Sequence, residues 1–346
     1  MPGIPLFKPD FGVEEEKAVL DVVRSGWIAQ GSQVKKFEAM IADYLEIGSE
    51  RVVALSSGTA ALHEALLLAG IKAGDEVLVP SMGFIATVEA VMYCNAVPVF
   101  VDVDKWLHTA GIEHFEKKLT KKTRAIIPVH IYGRMAPMNE LVPWARDNNV
   151  SVIEDSAPAF GASLSDKYAG LWGDYGCFSL QSSKPLTTGE GGILIAPSKE
   201  YADKARCLSF HGANIWDFTN VNFEDFWEED FVRIGYNYRM TDLQAAIGIV
   251  QLKRFTELTE KKCRVIQEYN RLLSNASDKL FLPPENIEKL PSNTSLQQYV
   301  VVLKEGGKRK RDEIITLARK KGIFLMTGGY CIPSHSLWKD YDVKWN

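Results

Sequence analysis

The segment from Cys177 to Gly192, CFSLQSSKPLTTGEGG, holds a single lysine, Lys184, in a polar turn between two apolar runs, Cys177-Phe178-Ser179-Leu180 and Ile193-Leu194-Ile195-Ala196. A lysine between two buried strands is poorly solvated. Burial disfavours its charged form, so its amine loses a proton more readily than a surface amine. A neutral amine is a nucleophile able to form a Schiff base. A surface lysine in a polar turn is the plainer alternative, and the segment alone does not decide between them.

Three further places decide it. Ser56-Ser57-Gly58-Thr59 opens an alanine- and leucine-rich run. Free backbone N–H groups and the helix dipole at such a start favour an anion, above all a phosphate; in isolation it is an ordinary helix cap. Asp155 ends the run VIED. A carboxylate buried there needs a cationic or N–H partner. A protonated pyridine nitrogen would serve, and a structural Asp capping the next turn is the alternative. Phe84, in SMGFIAT, is an aromatic able to lie flat against a planar ring or, more plainly, to pack in the core. Ser179 precedes Lys184 by five residues on the same strand and is placed to reach a phosphate. A phosphate cup, a ring platform, a pyridinium partner and a Schiff-base amine are together the requirements of pyridoxal 5′-phosphate (PLP).

The elements that must position these residues follow from the patterning. Residues 13–24 and 33–45 carry apolar positions at helical spacing, with the loop SGWIAQG and its Trp27 between them. From residue 51 strand and helix alternate. Strands are expected at 51–55, 76–80, 97–101, 124–129 and 151–153. Helices are expected at 60–69, 84–94, 114–119 and 138–148. Near-continuous apolar strands separated by helices are the signature of a parallel sheet covered on both faces. In such sheets ligands bind at the carboxyl ends of the strands, and Ser57, Phe84, His130 and Asp155 all lie just past strand ends. Beyond the lysine segment, helices are expected at 199–209, 239–252, 256–274 and 308–322, a strand at 298–303, and a long acidic, aromatic loop at 215–231. The basic run Lys308-Arg309-Lys310-Arg311 reads as a solvated helix start.

Composition excludes several classes. The chain has 346 residues, 46% of them hydrophobic and 24% charged, which is the make-up of an ordinary globular protein. A formal net charge of −4 offers no general attraction to nucleic acid or anionic membrane. The five cysteines, Cys94, Cys177, Cys207, Cys263 and Cys331, form no C-x-x-C pair. That fits a reducing, cytoplasmic setting and argues against disulfides or structural zinc. No metal site, signal peptide or membrane-spanning run is expected.

The ordered motifs SSGTAAL, VPSMGFIATVEAV, IIPVHIYG, VIEDSAPAFGA, CFSLQSSKPLTTGEGG and GYNYRMTDLQAAIG closely resemble the DegT/DnrJ/EryC1/StrS aminotransferases, from about Phe11 to about Gly322. These are fold-type-I PLP enzymes, many of which aminate nucleotide-linked keto sugars. The resemblance implies an α/β fold-type-I PLP-dependent transferase with a mostly parallel central sheet covered by helices. It further implies a large PLP-binding domain over 1–252 and a smaller C-terminal α+β domain over 253–346. By the same resemblance Lys184 carries the cofactor and Asp155 pairs with the pyridine nitrogen. Ser57, Gly58, Thr59 and Ser179 hold the phosphate, and Phe84 stacks on the ring. Asn237 and Arg239 fall where the neighbouring subunit of a homodimer reaches into a shared site.

The implied reaction converts a keto sugar, nucleotide-linked in many members, to an amino sugar, with glutamate or glutamine as donor. A sugar dehydratase of the same family is the nearest alternative, disfavoured by Lys184, since such members typically have His there. A non-catalytic sugar-binding or regulatory protein is disfavoured by the intact Lys184, Asp155 and SSGT turn. Three departures stand out. Pro158 occupies a position where many members have Gln or His bonding the cofactor phenolate. Gln181 replaces a common His and is a candidate for that contact. The chain also ends at Asn346, where the resemblance leads one to expect a further strand and helix of the small domain.

Overall fold

The computed structural model describes residues 3–214, 230–283 and 294–341. Seven strands form the central sheet, in the spatial order Val52–Leu55, Gly192–Ile195, Tyr175–Ser179, Ser151–Asp155, Thr123–Ile126, Glu76–Pro80 and Val97–Val101. Six of the seven run in one direction. Gly192–Ile195 alone is antiparallel to both of its neighbours. The pattern of apolar runs did not reveal this reversal. Its cause is the connection: no helix intervenes between Ser179 and Gly192, and adjacent strands can be joined parallel only through a long crossover.

Both faces of the sheet are covered, and the strand sequences show it by period-two alternation. Val52, Ala54, Leu78, Val152, Phe178, Ile193 and Ile195 enter one core cluster. Val53, Leu55, Val77, Val79, Ile153, Cys177 and Leu194 enter the other. The first face is covered by the helices Ser32–Leu45, Met138–Asp147 and Asp242–Lys253 through Phe37, Ile41, Met138, Leu141 and Ile249. The second is covered by Gly58–Leu68, Ala86–Tyr93 and Lys199–Ser209 through Leu62, Leu66, Val88, Val91 and Ala202.

Several element boundaries differ from expectation. Phe84 lies before its helix rather than in it, because Met82–Gly83 pairs antiparallel with Tyr330–Cys331. The strand expected over 298–303 is reduced to Val302–Leu303, paired with Leu280–Phe281; two strands alone have no second layer to extend them. The strand expected to reach Val129 ends at Ile126. Most of the acidic, aromatic loop, residues 215–229, lies outside the described residues. The long helix Phe255–Leu273 is fastened to the N-terminal segment by Arg254, which bonds Glu15 Oε1 at 2.7 Å and Asp10 Oδ1 at 3.2 Å. Among the described residues no helix is long and apolar enough to cross a membrane, and no cluster of metal-ligating side chains is present.

Candidate active site

The strands that share a direction bring their carboxyl ends to one edge of the sheet. The reversed strand starts there, so Gly192 sits opposite both Leu55 and Ser179. The pairing continues past Ser179 through Leu180, whose N–H donates to Gly191 O at 2.8 Å and whose carbonyl accepts from the Thr188 N–H at 2.9 Å. The chain then opens into the turn that carries Lys184. Gln181 builds this turn. Its carbonyl accepts from the Lys184 N–H at 2.8 Å, and its Oε1 accepts from Ser183 N and Ser183 Oγ at 2.8 and 2.7 Å. Its Nε2 donates to Ser182 Oγ at 3.0 Å. The Gln181 amide thus helps to shape the lysine turn.

Lys184 is half-buried. Burial pulls the pKa of its amine below the ordinary lysine value, and the charge of Asp155 acts in the opposite sense. Asp155 ends its strand and is 5% exposed. Its Oδ2 accepts from Thr87 Oγ1 at 2.6 Å, and its Oδ1 from the Ala157 N–H at 3.2 Å. A carboxylate has about four acceptor positions, so two protein donors leave capacity for a further one. Thr87, which the sequence reading did not single out, thus holds the key carboxylate. The only sequence signal for it is its place one turn after Phe84, whose carbonyl accepts from the Thr87 N–H at 3.3 Å. Phe84 is 60% exposed, which rules out the core-packing alternative and leaves its ring free beside the site.

The SSGT turn forms the expected helix start. Ser57 is extended, and its Oγ accepts from the Ala60 N–H at 3.1 Å. The Gly58 and Thr59 N–H groups stand in the first turn, where no intrahelical carbonyl reaches them. Two glycines let this helix start approach the sheet closely. A Cβ on Gly58 would lie 2.8 Å from Ser179 Cβ, and one on Gly192 would lie 2.2 Å from Ser57 O. Ser57, Gly58, Thr59 and Ser179 are thereby gathered into one cradle.

The loop carrying Asn237 and Arg239 runs beside this cradle in the same chain. Leu55 bridges Arg239, Phe210 bridges Asn237, and the Ser56 N–H donates to Tyr238 O at 2.6 Å. Asn237 is exposed. The Arg239 guanidinium lies 4.4 Å above the Phe210 ring, and burial lowers its pKa. Its Nη1 is buried with no hydrogen-bond partner.

His130, noted in the sequence as a strand-end residue, is structural. Its Nδ1 accepts from the Ala136 N–H at 3.1 Å, so the ring proton lies on Nε2 and is donated to Glu154 Oε2 at 2.9 Å. Glu154 also accepts from the Gly170, Trp172 and Gly173 N–H groups at 2.9, 2.6 and 2.7 Å. Side chains alternate along a strand, so this buried anchor faces away from Asp155 and holds its strand in place. Pro158, which lacks a donor, uses its carbonyl to accept from Ser295 Oγ at 2.7 Å.

A depressed lysine amine, a carboxylate with spare acceptor capacity, an exposed aromatic ring and a glycine-lined helix start suit PLP, and with the covered mixed sheet they define a PLP-dependent aminotransferase. The family model of the DegT/DnrJ/EryC1/StrS aminotransferases matches residues 9–343, and the chain belongs to that family. It is 37% identical over 276 residues to the GDP-perosamine synthase of Escherichia coli O157:H7, covering 80% of this chain and 72% of that one. It is 36% identical over 316 residues to the GDP-perosamine synthase of Caulobacter vibrioides, covering 91% and 81%. The PLP form of Spr1654 from Streptococcus pneumoniae superposes with a TM-score of 0.87 at 27% identity, covering 97% of this chain and 87% of that one.

Proposed function

We propose that this sugar aminotransferase moves an amino group between an amino acid, glutamate or glutamine, and a nucleotide-linked keto sugar. The observation that carries the reading is the placement of Lys184 in the turn between the strands Tyr175–Ser179 and Gly192–Ile195, within the field of Asp155 and with burial lowering its pKa, in a chain more than a third identical to two GDP-perosamine synthases. Bound here, PLP supplies an electron sink that eases loss of a proton from the carbon bearing the amine. Lys184 Nζ, neutral more readily than a surface amine, anchors the cofactor and then serves as the base that carries that proton. Asp155 holds a proton on the pyridine nitrogen through the acceptor capacity that Thr87 and Ala157 leave. The Gly58 and Thr59 N–H groups, with the Ser57 and Ser179 hydroxyls, take the phosphate, and Phe84 covers the ring.

Asn237 is exposed, and we assign it the reach into the site of a second copy in a homodimer. Arg239 backs that loop by stacking on Phe210. Borohydride reduction of the PLP-loaded protein followed by peptide mapping tests the anchor. Label is expected on Lys184; label on another lysine would overturn the assignment.

A further inference from the structure

We infer that Lys262 and Gln297, both from the C-terminal part of the chain, are positioning residues for Lys184: they hold the carbonyls on either side of it and so fix where its amine stands. The inference rests on the cofactor anchor proposed above. Ser183 O accepts from Gln297 Nε2 and Pro185 O accepts from Lys262 Nζ, each at 3.5 Å. Within the turn, the Lys184 N–H donates to Gln181 O at 2.8 Å and Thr187 Oγ1 donates to Leu180 O at 2.9 Å. The turn therefore sets its own ends, while the carbonyls flanking Lys184 are reached from 114 and 77 residues away. Both contacts are long for neutral hydrogen bonds. The Lys262 contact is the weightier, because its donor is charged and desolvated surroundings strengthen the attraction to a carbonyl.

Lys262 stands where its helix would ordinarily place an apolar residue. Phe255, Leu258 and Ile266 are the buried residues of Phe255–Leu273, and position 262 continues their spacing on the same face. Phe255 anchors that face, with its ring 5.2 Å from that of Phe160 and 5.5 Å from that of Tyr44. Lys262 is half-buried, and burial lowers the pKa of its amine to about 8. The adjacent Lys261 pairs with Asp10 and Glu257 at 2.9 and 2.7 Å. Among the described residues Lys262 forms no ion pair. A lysine desolvated without a counter-ion works against folding, and the carbonyl it reaches accounts for its place.

The segment that carries Gln297 is equally fixed. The Ser295 N–H donates to Gly133 O at 2.9 Å, and Ser295 Oγ to Pro158 O at 2.7 Å, three residues past Asp155. Thr294, Ser295 and Leu296 are buried. Both donors thus reach the turn from supports packed on the body of the protein. Placement is worth much to a nucleophile: a displacement of about 1 Å can cost ~100-fold in rate.

The rate at which PLP, added to the apoprotein at neutral pH, becomes fixed to Lys184 by borohydride reads the placement of the amine. Samples are quenched at successive times and the labelled peptide is mapped. Lys262→Met keeps the length of the side chain and removes its charge. It is expected to melt no lower than the parent, yet to be labelled about tenfold more slowly. Lys262→Arg keeps the charge and should be labelled at nearly the parental rate. Gln297→Met should slow labelling in the same direction as Lys262→Met. Labelling of Lys262→Met at the parental rate, or of Lys262→Arg as slowly as Lys262→Met, would overturn the inference and leave the anchor standing. Melting temperatures that fall in step with the labelling rates would overturn it too, since loss of structure would then suffice. Label on a lysine other than Lys184 in the unaltered protein would overturn the anchor, and the inference with it.

Discussion

Asp155, Thr87 and Glu64 show how differently three buried polar groups are held. Asp155 lost its carboxylate charge in Asp155→Asn would keep its shape but no longer hold a proton on the ring nitrogen. Turnover is expected to fall by several orders of magnitude with thermal stability nearly unchanged. Thr87→Val removes one bond to that carboxylate and should cost about 1.5–3 kcal/mol, read as a fall of about tenfold or more in kcat/KM. Glu64 is different. It is fully buried, both carboxylate oxygens lack hydrogen-bond partners, and desolvation raises its pKa well above the ordinary glutamate value. The folded protein therefore keeps this proton to higher pH than the unfolded chain does. The stability it contributes is present below the ordinary glutamate pKa and is lost as pH rises towards the folded value, by about 1.4 kcal/mol per pH unit. Glu64→Gln should remove that slope, as denaturant titrations from acid to neutral pH can measure. The positions of Lys184 and Asp155 at the sheet edge were legible because a charged group just beyond an apolar run is chemically conspicuous. Thr87 and the His130–Glu154 pair were not, since their partners lie 68 and 24 residues away and no local pattern encodes such contacts.

Among the elements, the junction of three strand ends with the start of the helix Gly58–Leu68 governs the site. Gly58 sits where a Cβ would press on Ser179. Gly58→Ala is expected to destabilise the protein by about 1–3 kcal/mol through overpacking and to weaken PLP binding, measurable by cofactor titration of the apoprotein. Most strands and helices were legible because hydrophobic period follows burial, and burial on both faces leaves little ambiguity. The reversal of Gly192–Ile195 was not, because direction depends on the connection and not on the strand's own residues. The short pairing of Met82–Gly83 with Tyr330–Cys331 was also hidden, since two-residue strands carry no period. That pairing brings Tyr330 beside Phe84 across some 250 residues of sequence.

At the scale of the whole molecule, we place the division between a large PLP-binding part and a smaller C-terminal part near Arg254, where the helices Asp242–Lys253 and Phe255–Leu273 meet. The proposed sharing of sites between two copies predicts complementation. Lys184→Ala and Asn237→Asp, the latter placing a carboxylate against the phosphate, should each be nearly inactive alone. In a mixed dimer one site would carry both lesions and the other neither, so about half the activity should return. Mixed dimers that form but stay inactive would place Asn237 in its own chain's site. The central claim, amino transfer between a nucleotide-linked sugar and an amino acid through Lys184, is tested most directly by following the nitrogen itself. Glutamate and glutamine, each labelled at the α-amine nitrogen, are incubated separately with the PLP-loaded protein, and the released cofactor is analysed by mass spectrometry. The labelled amine form of the cofactor is predicted from one of the two donors with the parent protein and from neither with Lys184→Ala; an unlabelled cofactor from both donors, or label transfer that survives loss of Lys184, would contradict the account.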